Sequence, residues 1–266
     1  MKTIGFIGAG NMGGAMARAC ARIEEGCVWV FDTNKASYSD YEACEGIECA
    51  SSIEALVAAC DYIVMSIKPQ YYEDVATKIR DNIKEGQIVI TVAPSFTLED
   101  MSGLFKEGTK LIRTMPNTPA LIGEGVTAYC YDESKILNEE LIDFVTYFES
   151  FGVLVKVDEK LMPAVVATTG SSPAYAYLFI EAMADAAVSF GMPRAMAYQM
   201  ASMAIKGSAE MILQTGKHPG ELKDAVTSPA GTTIKAVLAM EEAGFRNSVI
   251  KGMEACYQQV LDMSKH

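Results

Sequence analysis

The chain has 266 residues, half of them hydrophobic, and a formal net charge of −12. This length suits one large domain or two modest ones with a real core, and the acidic balance argues against nucleic acid as a partner, because phosphate binding needs clustered lysine and arginine. No apolar run reaches the roughly 18 residues of a membrane helix, and the first residues do not resemble a signal peptide, so we expect a cytoplasmic protein with no membrane partner.

Cysteine and histidine usage limits the chemistry further. The seven cysteines are scattered and form no CxxC, so we interpret them as reduced and mostly packing residues. The two histidines, His218 and His266, are too few for a histidine-rich metal site or for a mechanism that uses several imidazoles, and we predict no bound metal. We expect His218 to be structural, because Pro219 follows it and proline is common in the first turn of a helix.

Short β-rich runs alternate with helical patterns over residues 1–158. The β-rich runs are TIGFIG, CVWVF, YIVMSI, QIVITV, KLIRT, GVTAYC and GVLVKV. Helical patterns between them include NMGGAMARACARI, SIEALVAAC and YYEDVATKIRDNI. Alternation of this kind predicts βαβ units and a doubly wound, mostly parallel α/β sheet.

The glycine-rich stretch IGFIGAGNMGGAM follows the first predicted strand and opens a helix. Gly8, Gly10 and Gly13 have the spacing G-x-G-x-x-G. In this pattern the first glycine allows a tight turn, the second lets the backbone approach a pyrophosphate, and the third lets the helix pack on the strand. The free N–H groups and the dipole of the helix start attract phosphate. The stretch therefore predicts dinucleotide binding in a Rossmann-type domain; the alternative is a glycine-rich turn without a ligand.

Two charged residues follow predicted strands at the edge of the sheet where a dinucleotide would lie. Asp32 directly follows CVWVF, and a carboxylate there accepts hydrogen bonds from ribose hydroxyls and repels a 2′-phosphate. It favours NADH over NADPH, although Asn34 and Lys35 soften the preference. Lys68, in MSIKPQ, is predicted to meet a phosphate or a ribose; the alternative is a solvated lysine in a turn.

The β signal stops in residues 159–266, where Ala- and Met-rich helical patterns are interrupted at 170–173, 191–193, 216–219, 228–231 and Gly244. A change from alternating strands and helices to helices alone marks a domain boundary, which we place at residues 157–161. A small helical unit with so many apolar faces buries them better against a second copy. We therefore predict a dimer interface on these helices, with core packing as the alternative role of the methionines.

Several motifs together resemble the pyrroline-5-carboxylate reductase family. Besides GFIGAGNMG and IKPQ, the chain carries RTMPNTPALIGEGVT, SPAYAY, HPGELKDAVTSPAGTTIKAV and EEAGFR. The stretches MPNTPALIGEG and TSPAGTTIKAV are highly specific, and the resemblance covers essentially the whole chain. It implies a Rossmann-type nucleotide-binding domain over 1–158 and an all-α substrate-binding and dimerisation domain over 159–266. It also implies homodimers that often assemble into decamers.

The resemblance also implies a reaction and its residues. The family transfers hydride from NAD(P)H to the C=N bond of 1-pyrroline-5-carboxylate, giving proline in the last step of proline biosynthesis. The residues expected to hold the cofactor are Gly8, Ala9, Gly10, Asn11 and Met12 at the pyrophosphate, Ser66, Ile67, Lys68, Pro69 and Ala93 along the crevice, and Gly13, Asp32 and Asn117. The residues expected to hold the substrate are Ser228, Gly231, Thr232 and Thr233, with Asn117 near the nicotinamide and Glu159 at the substrate's edge.

Five positions depart from the family's usual pattern. Ala230 replaces the first glycine of SPGGTT, Ser172 replaces a glycine of GSGPAY, and VAPS over 92–95 stands for IAAG or IAG. Pro163 stands where an acidic residue is common, and Ser52 takes the place of a frequent cofactor-side asparagine. The two threonines and the dinucleotide loop are intact, so these departures bear on substrate choice more than on reaction type.

The stretch DAVTSPAGTTIKAVL places a polar turn directly before a helix. The first N–H groups of a helix have no intrahelical acceptor, and with the dipole they form a socket for an anion. We expect the substrate carboxylate to lie on the N–H groups of Gly231 to Thr233, with the Ser228 hydroxyl as a further donor. Thr233 is the candidate catalytic residue, because its hydroxyl can hold the ring nitrogen or help to deliver a proton from water. The alternative is that Ser228 and Thr232 merely cap the helix.

Two other functions fit parts of the sequence. A reductase of a related cyclic imine or oxo acid is allowed by the substituted glycines. A non-catalytic nucleotide-binding relative would bind the cofactor without turnover, but the intact Thr232, Thr233 and MPNTPALIGEG argue against it. Arg113 ends a strand, and we expect it to pin the MPNTP loop.

Overall fold

The structure is a computed structural model that describes residues 1–23 and 27–263, so His266 lies outside the described residues. The chain divides into two compact units. Of the described residues, the first unit contains those within 1–171 and 256–263, and the second contains 172–255. No helix in the described ranges is long and apolar enough to cross a membrane.

An eight-stranded sheet lies at the centre of the first unit, in the order β3-β2-β1-β4-β5-β6-β7-β8. The strands are β1 (Ile4–Ile7), β2 (Val28–Phe31), β3 (Ile47–Cys49), β4 (Tyr62–Met65), β5 (Ile88–Thr91), β6 (Lys110–Met115), β7 (Gly125–Tyr131) and β8 (Gly152–Lys156). Every neighbouring pair is parallel except β6 and β7. The predicted doubly wound, mostly parallel sheet is therefore confirmed, and all seven predicted strands form.

Helices cover both faces of this sheet. They are α1 (Asn11–Cys20), α2 (Tyr38–Glu42), α3 (Ile53–Ala59), α4 (Tyr72–Ile79), α5 (Leu98–Leu104), α6 (Ile142–Glu149) and α7 (Met162–Val165). Successive side chains of a strand point to opposite faces. On β4, Tyr62 and Val64 pack in the cluster that contains residues of α1 and α6, whereas Ile63 and Met65 pack in the cluster that contains residues of α3, α4 and α5. This double burial explains the uninterrupted apolar run of β4.

Residues 172–255 are helical apart from their turns. The helices are α8 (Ser172–Ser189), α9 (Arg194–Thr215), α10 (Pro219–Ala225) and α11 (Thr232–Glu242), followed by α12 (Phe245–Met263), which ends in the first unit. Gly191, Gly216 and Gly244 lie between helices and have positive φ, which glycine adopts without steric cost. The predicted all-α region is confirmed. The domain boundary between residues 158 and 159 stays a prediction.

The second unit buries few large apolar side chains. Its buried helical residues are Ala184, Ala197 and Ala201. By contrast, Phe190 is 85% exposed and Leu213 is 78% exposed. The other large apolar side chains that this unit exposes include Tyr177, Leu178, Met196, Met200, Met203, Met211, Leu238 and Ile250. A unit of this kind needs a partner surface to cover it.

Candidate active site

The loop between β1 and α1 has the geometry that the glycine fingerprint requires. Gly8 has φ +97°, and a Cβ on it would lie 2.5 Å from the Ser66 carbonyl oxygen. A Cβ on Gly13 would lie 2.0 Å from the Gly8 carbonyl oxygen, so only glycine lets α1 pack this closely. Gly10 has open space where a Cβ would be, and as the N-cap of α1 it has no side chain to cover the helix start. The uncapped N–H groups and the open space at Gly10 therefore fit a pyrophosphate.

A crevice of about 510 Å³ lies beside this loop, at the carboxyl ends of β1, β2 and β4. Strand order reverses between β1 and β4, and open α/β sheets bind ligands at such a switch point. Of the predicted cofactor residues, the crevice is lined by Gly8, Gly10, Asp32, Ser66, Ile67 and Lys68. The remaining predicted cofactor residues, which do not line it, are Ala9, Asn11, Met12, Gly13, Pro69, Ala93 and Asn117.

One wall of the crevice was not predicted from the sequence. It consists of Tyr71, Asp74, Val75 and Lys78, which run from the N-cap to the last turn of α4. Their spacing of i, i+3, i+4 and i+7 puts them on one helix face. The sequence shows this spacing, and it would have identified these four residues as one wall once the crevice was placed at the end of β4.

Asp32 accepts hydrogen bonds from two backbone segments, the loop after β1 and the turn after β2. Its Oδ2 accepts a hydrogen bond from the Ala9 N–H at 2.8 Å, and its Oδ1 accepts one from the Asn34 N–H at 2.8 Å. An ionised carboxylate can accept about four hydrogen bonds, so acceptor capacity remains for ribose hydroxyls. Asp32 therefore braces the phosphate loop as well as facing the predicted ribose position.

Ser66 and Lys68 line the same crevice in different ways. The Ser66 hydroxyl lies 2.6 Å from the Gly8 carbonyl oxygen and 3.1 Å from that of Ile7, so it ties the phosphate loop to β4. Lys68 is exposed, and its ammonium group makes no hydrogen bond or ion pair with the described residues. A cation in this position is available for a phosphate. Ser52, at the departure from the family pattern, caps α3 by accepting from the Ala55 N–H at 3.1 Å.

The side chain of Asn117 is used within the first unit. Its Nδ2 donates to the Thr169 carbonyl oxygen at 3.0 Å, and its Oδ1 accepts from the Val126 N–H at 2.9 Å. Asn117 is 7% exposed and immediately precedes the short 3-10 helix Thr118–Ile122. The amide therefore fixes the MPNTP loop to β7 and to the π-helical segment Val166–Gly170. Its predicted contacts with nicotinamide and substrate stay predictions.

Arg113 pins a different loop from the one predicted. Its guanidinium, 4% exposed, donates to the Pro94 carbonyl oxygen at 2.9 Å and to Glu159 Oε1 at 2.9 Å. Glu159 Oε1 also accepts from the Leu98 N–H at 2.7 Å. The expectation that Arg113 pins the MPNTP loop was wrong, because the Pro94 carbonyl is within reach of its buried guanidinium. Glu159 serves as the partner of this cation, and its predicted place at the substrate's edge stays a prediction.

The predicted substrate loop lies in the second unit and begins with a tight turn. The Gly231 N–H donates to the Ser228 carbonyl oxygen at 3.0 Å, and Pro229 and Ala230 occupy the two central positions. Ala230 has φ +60°, the one positive φ outside glycine in the described residues, as the third position of a type II turn requires. The expectation that the Gly231 N–H is free for a carboxylate was therefore wrong.

The helix after this turn starts without a side-chain cap. α11 begins at Thr232, and its N-cap is Gly231, which has no side chain to cap the helix. A Cβ on Gly231 would lie 2.4 Å from the Ser228 hydroxyl oxygen, so glycine leaves room for that hydroxyl beside the helix start. Thr232 and Thr233 are exposed, and neither hydroxyl bonds to another described residue. The alternative that Ser228 and Thr232 cap α11 is contradicted, since the helix start has no side-chain cap hydrogen bond. The binding of a carboxylate by the N–H groups of Thr232 and Thr233 stays a prediction.

His218 has the structural place that its sequence context indicates. It is the N-cap of α10, and its Nδ1 accepts from the Gly220 N–H at 3.0 Å. Among the described residues there is no group of His, Cys, Asp and Glu side chains arranged to hold a metal ion.

Comparisons with family models match both parts of the chain. The family described as pyrroline-5-carboxylate reductase dimerisation matches residues 159–263. The family described as NADP oxidoreductase, coenzyme F420-dependent, matches residues 3–95. The helical region is thus a dimerisation domain, and the chain forms homo-oligomers. The predicted assembly is confirmed at this level.

Individual proteins match along the whole chain. The pyrroline-5-carboxylate reductase of Escherichia coli is 40% identical over 99% of both chains, and that of Pisum sativum is 35% identical over 98% of this chain and 96% of the pea chain. The crystal structure of Plasmodium falciparum pyrroline carboxylate reductase with NADP bound has a TM-score of 0.89 at 28% identity, covering 99% of this chain and 98% of that one. The resemblance read from the motifs is confirmed: the chain belongs to the pyrroline-5-carboxylate reductase family of NAD(P)-dependent oxidoreductases.

Proposed function

We propose that the chain reduces the C=N bond of 1-pyrroline-5-carboxylate to give L-proline, the last step of proline biosynthesis. The observation that carries this proposal is the uncapped start of α11 behind the Ser228–Gly231 turn. A small ring acid presents one carboxylate, which the N–H groups of Thr232 and Thr233 and the Ser228 hydroxyl accommodate. Backbone amides hold an anion without an arginine clamp, which suits a chain of net charge −12.

The chemistry divides between the cofactor and this loop. Bound NAD(P)H supplies the hydride. A protonated imine already carries the positive charge that draws a hydride to its carbon, so the protein needs to orient the ring rather than to supply strong acid or base. Thr233 accepts a hydrogen bond from the protonated ring nitrogen while its N–H holds the carboxylate, and these two contacts fix the face of the C=N bond.

Turnover tests this proposal. The purified protein is expected to oxidise NADH or NADPH in the presence of 1-pyrroline-5-carboxylate and to form proline. No proline with either cofactor sinks the proposed reaction, and turnover of another cyclic imine or an oxo acid in its place would assign the related reductase. Cofactor binding without turnover of any of these substrates would assign the non-catalytic relative.

Thr233→Ala tests the catalytic role. Losing one hydrogen bond to the reacting group costs about 1–3 kcal/mol, so kcat/KM is expected to fall roughly 5- to 150-fold while the Kd for NADH stays unchanged. Thr233→Ser keeps the hydroxyl and is expected to retain most activity. Thr215→Ala, at the exposed end of α9, is the matched control. Equal kcat/KM in Thr233→Ala and Thr215→Ala would remove Thr233 from the mechanism.

NADH is proposed as the preferred cofactor, because the Asp32 carboxylate lines the crevice and repels a 2′-phosphate. Since Asp32 also braces Ala9, a substitution there loosens the phosphate loop for both cofactors, and the ratio of affinities is the informative quantity. Asp32→Ala is expected to raise the Kd for NADH more than the Kd for NADPH. Asp32→Asn keeps an acceptor for one N–H but lacks the charge, and it separates bracing from repulsion. Equal losses for both cofactors in both variants would contradict the preference.

The assembly proposed for the chain is a homodimer through α8–α12 that associates further into a decamer in the cytoplasm. The exposed apolar residues of the helical unit support an interface on these helices. Light scattering coupled to gel filtration gives the mass directly, and a mass of two chains at all concentrations would remove the decamer.

A further inference from the structure

A buried chain of hydrogen bonds joins the carboxyl ends of β4 and β5. The Tyr72 hydroxyl donates to the Met65 carbonyl oxygen at 2.6 Å and lies 2.9 Å from Thr91 Oγ1. The Ala93 N–H donates to the same Thr91 Oγ1 at 3.1 Å. Tyr72 and Thr91 are 0% and 1% exposed, so no solvent competes for these bonds.

The direction of every bond in this chain follows from counting hydrogens. Tyr72 has one hydroxyl hydrogen, which goes to Met65, so Thr91 must donate to the Tyr72 oxygen. Thr91 then accepts from the Ala93 N–H, and the order runs Ala93 N–H, Thr91 O–H, Tyr72 O–H, Met65 C=O. Burial raises the pKa of Tyr72 to about 12, so the phenol keeps the proton that this order requires. Bonds ordered head to tail polarise one another, which favours one fixed arrangement.

One end of this chain, at Met65, lies beside the crevice, and the other end is Ala93, which the family resemblance places at the cofactor and which does not itself line the crevice. Met65 immediately precedes Ser66, the first of three consecutive residues that line it. Ala93 begins the loop 93–97, whose Pro94 carbonyl is held by Arg113. Tyr72 also contacts this loop directly, because its ring stacks on Phe96 at a centroid distance of 4.4 Å. Tyr72, the first residue of α4, therefore touches the ends of both strands and the loop after the second.

We propose that Tyr72 is a positioning residue, whose hydroxyl acts through Thr91 to set the spacing between the Ser66–Lys68 segment and the 93–97 loop for the nicotinamide cofactor. The inference rests on the proposed function for the identity of the ligand. Tyr72 makes no contact with reacting atoms. Its effect is to prepare the crevice before the cofactor arrives, which lowers the ordering cost of binding.

Tyr72→Phe tests this role, because it removes the hydroxyl and keeps the ring that stacks on Phe96. The readout is the Kd for NADPH and for NADH without substrate, measured by calorimetry well below the melting temperature of each variant. Tyr72→Phe and Thr91→Val are each expected to raise the Kd at least threefold. Thr91→Ser keeps the hydroxyl and is expected to bind within twofold of the wild type.

The matched control is Tyr62→Phe. Tyr62 is 1% exposed and donates its hydroxyl to the Glu140 carbonyl oxygen at 2.5 Å, but it lies at the amino end of β4, away from the crevice. Its loss is expected to lower the melting temperature as Tyr72→Phe does and to leave the Kd within twofold. If the Kd for the cofactor is the same in Tyr72→Phe and Tyr62→Phe, whether both equal the wild-type value or both are raised, the inference is overturned.

Two further outcomes are also decisive. If Tyr72→Phe does not fold, the contrast between Thr91→Val and Thr91→Ser tests the same chain, and equal Kd values in that pair overturn the inference. If the wild type binds NADPH but does not reduce 1-pyrroline-5-carboxylate, the proposed function fails, while the Kd comparison still judges Tyr72.

Discussion

The two units of the chain treat their large apolar side chains in opposite ways. In the first unit, Phe144 and Phe148 are 0% exposed and pack against each other with tilted rings in one core on the sheet. In the second, Phe190 and Leu213 are mostly exposed, and the residues buried in its helices are alanines. The first unit thus has the core of an independent domain. The second has the surface of a domain that is completed by another copy, as its family match to a dimerisation domain implies.

The comparison also separates two kinds of site. The crevice belongs to a rigid framework, because parallel strands and glycine contacts fix its walls. The loop that is predicted to hold the substrate belongs to the second unit, whose exposed apolar side chains need a partner surface. We infer that cofactor binding is robust to dilution and that substrate turnover follows the oligomer.

The largest expected effect comes from breaking the second unit's apolar surface. Met203→Glu combined with Leu213→Glu places two charges on α9 at side chains that are 64% and 78% exposed in the single chain. Unpaired charges in an interface oppose association, so the variant is expected to be monomeric, to have less helicity than the wild type at the same concentration and to lose most of its activity. Gel filtration with light scattering and circular dichroism check this. Ile142→Glu, 64% exposed on α6 in the first unit, is the control and should keep the oligomer.

An intermediate effect is expected in the core of the first unit. Phe148→Ala leaves a cavity beside Phe144 and Phe151 and should lower the free energy of unfolding by about 3–5 kcal/mol. Because this core lies within one chain, the loss should be the same at two protein concentrations tenfold apart in denaturant titrations. A loss that changes with concentration would show that the first unit also depends on assembly.

The smallest effect concerns the turn before α11. Ala230→Gly relieves a left-handed residue with a Cβ and should stabilise the second unit by about 1 kcal/mol, measured by thermal unfolding at fixed protein concentration. Ala209→Gly, on the exposed face of α9, is the control and should destabilise by about 1 kcal/mol. If both substitutions lower stability, the turn does not strain Ala230.

The strong local patterns predicted most of the framework. Seven strands and the interruptions between the helices of the second unit could be predicted, because apolar runs and Gly or Pro positions are local features of the sequence. β3 was missed, since its three residues include one buried side chain and have no room for alternation. The open position at Gly10 and the close packing at Gly13 agree with the roles predicted from G-x-G-x-x-G, because both roles depend only on the absence of a side chain.

Partners distant in the chain could not be read from the sequence. Arg113 pairs with Glu159 across 46 residues and Asn117 bonds to Thr169 across 52, and no local pattern specifies such pairs. Asp32 shows the same limit at shorter range, because its bond to Ala9 depends on how two strands align. The hydrogen bond from the Gly231 N–H to the Ser228 carbonyl was missed for a related reason. The same residue types are compatible with a turn that uses this N–H and with a helix start that leaves it free.

The last helix has a consequence for biosynthesis. Its final turns, from Cys256, belong with residues 1–171, and Ser171 lies 3.2 Å from the Cys256 sulfur. The ribosome must therefore add 84 residues, 172–255, before that piece exists, which at about 5–20 residues per second takes roughly 4–17 s. During this interval the nascent nucleotide-binding half has all its strands but lacks its closing segment. The packing of the first unit is thus completed only after the whole second unit has been synthesised.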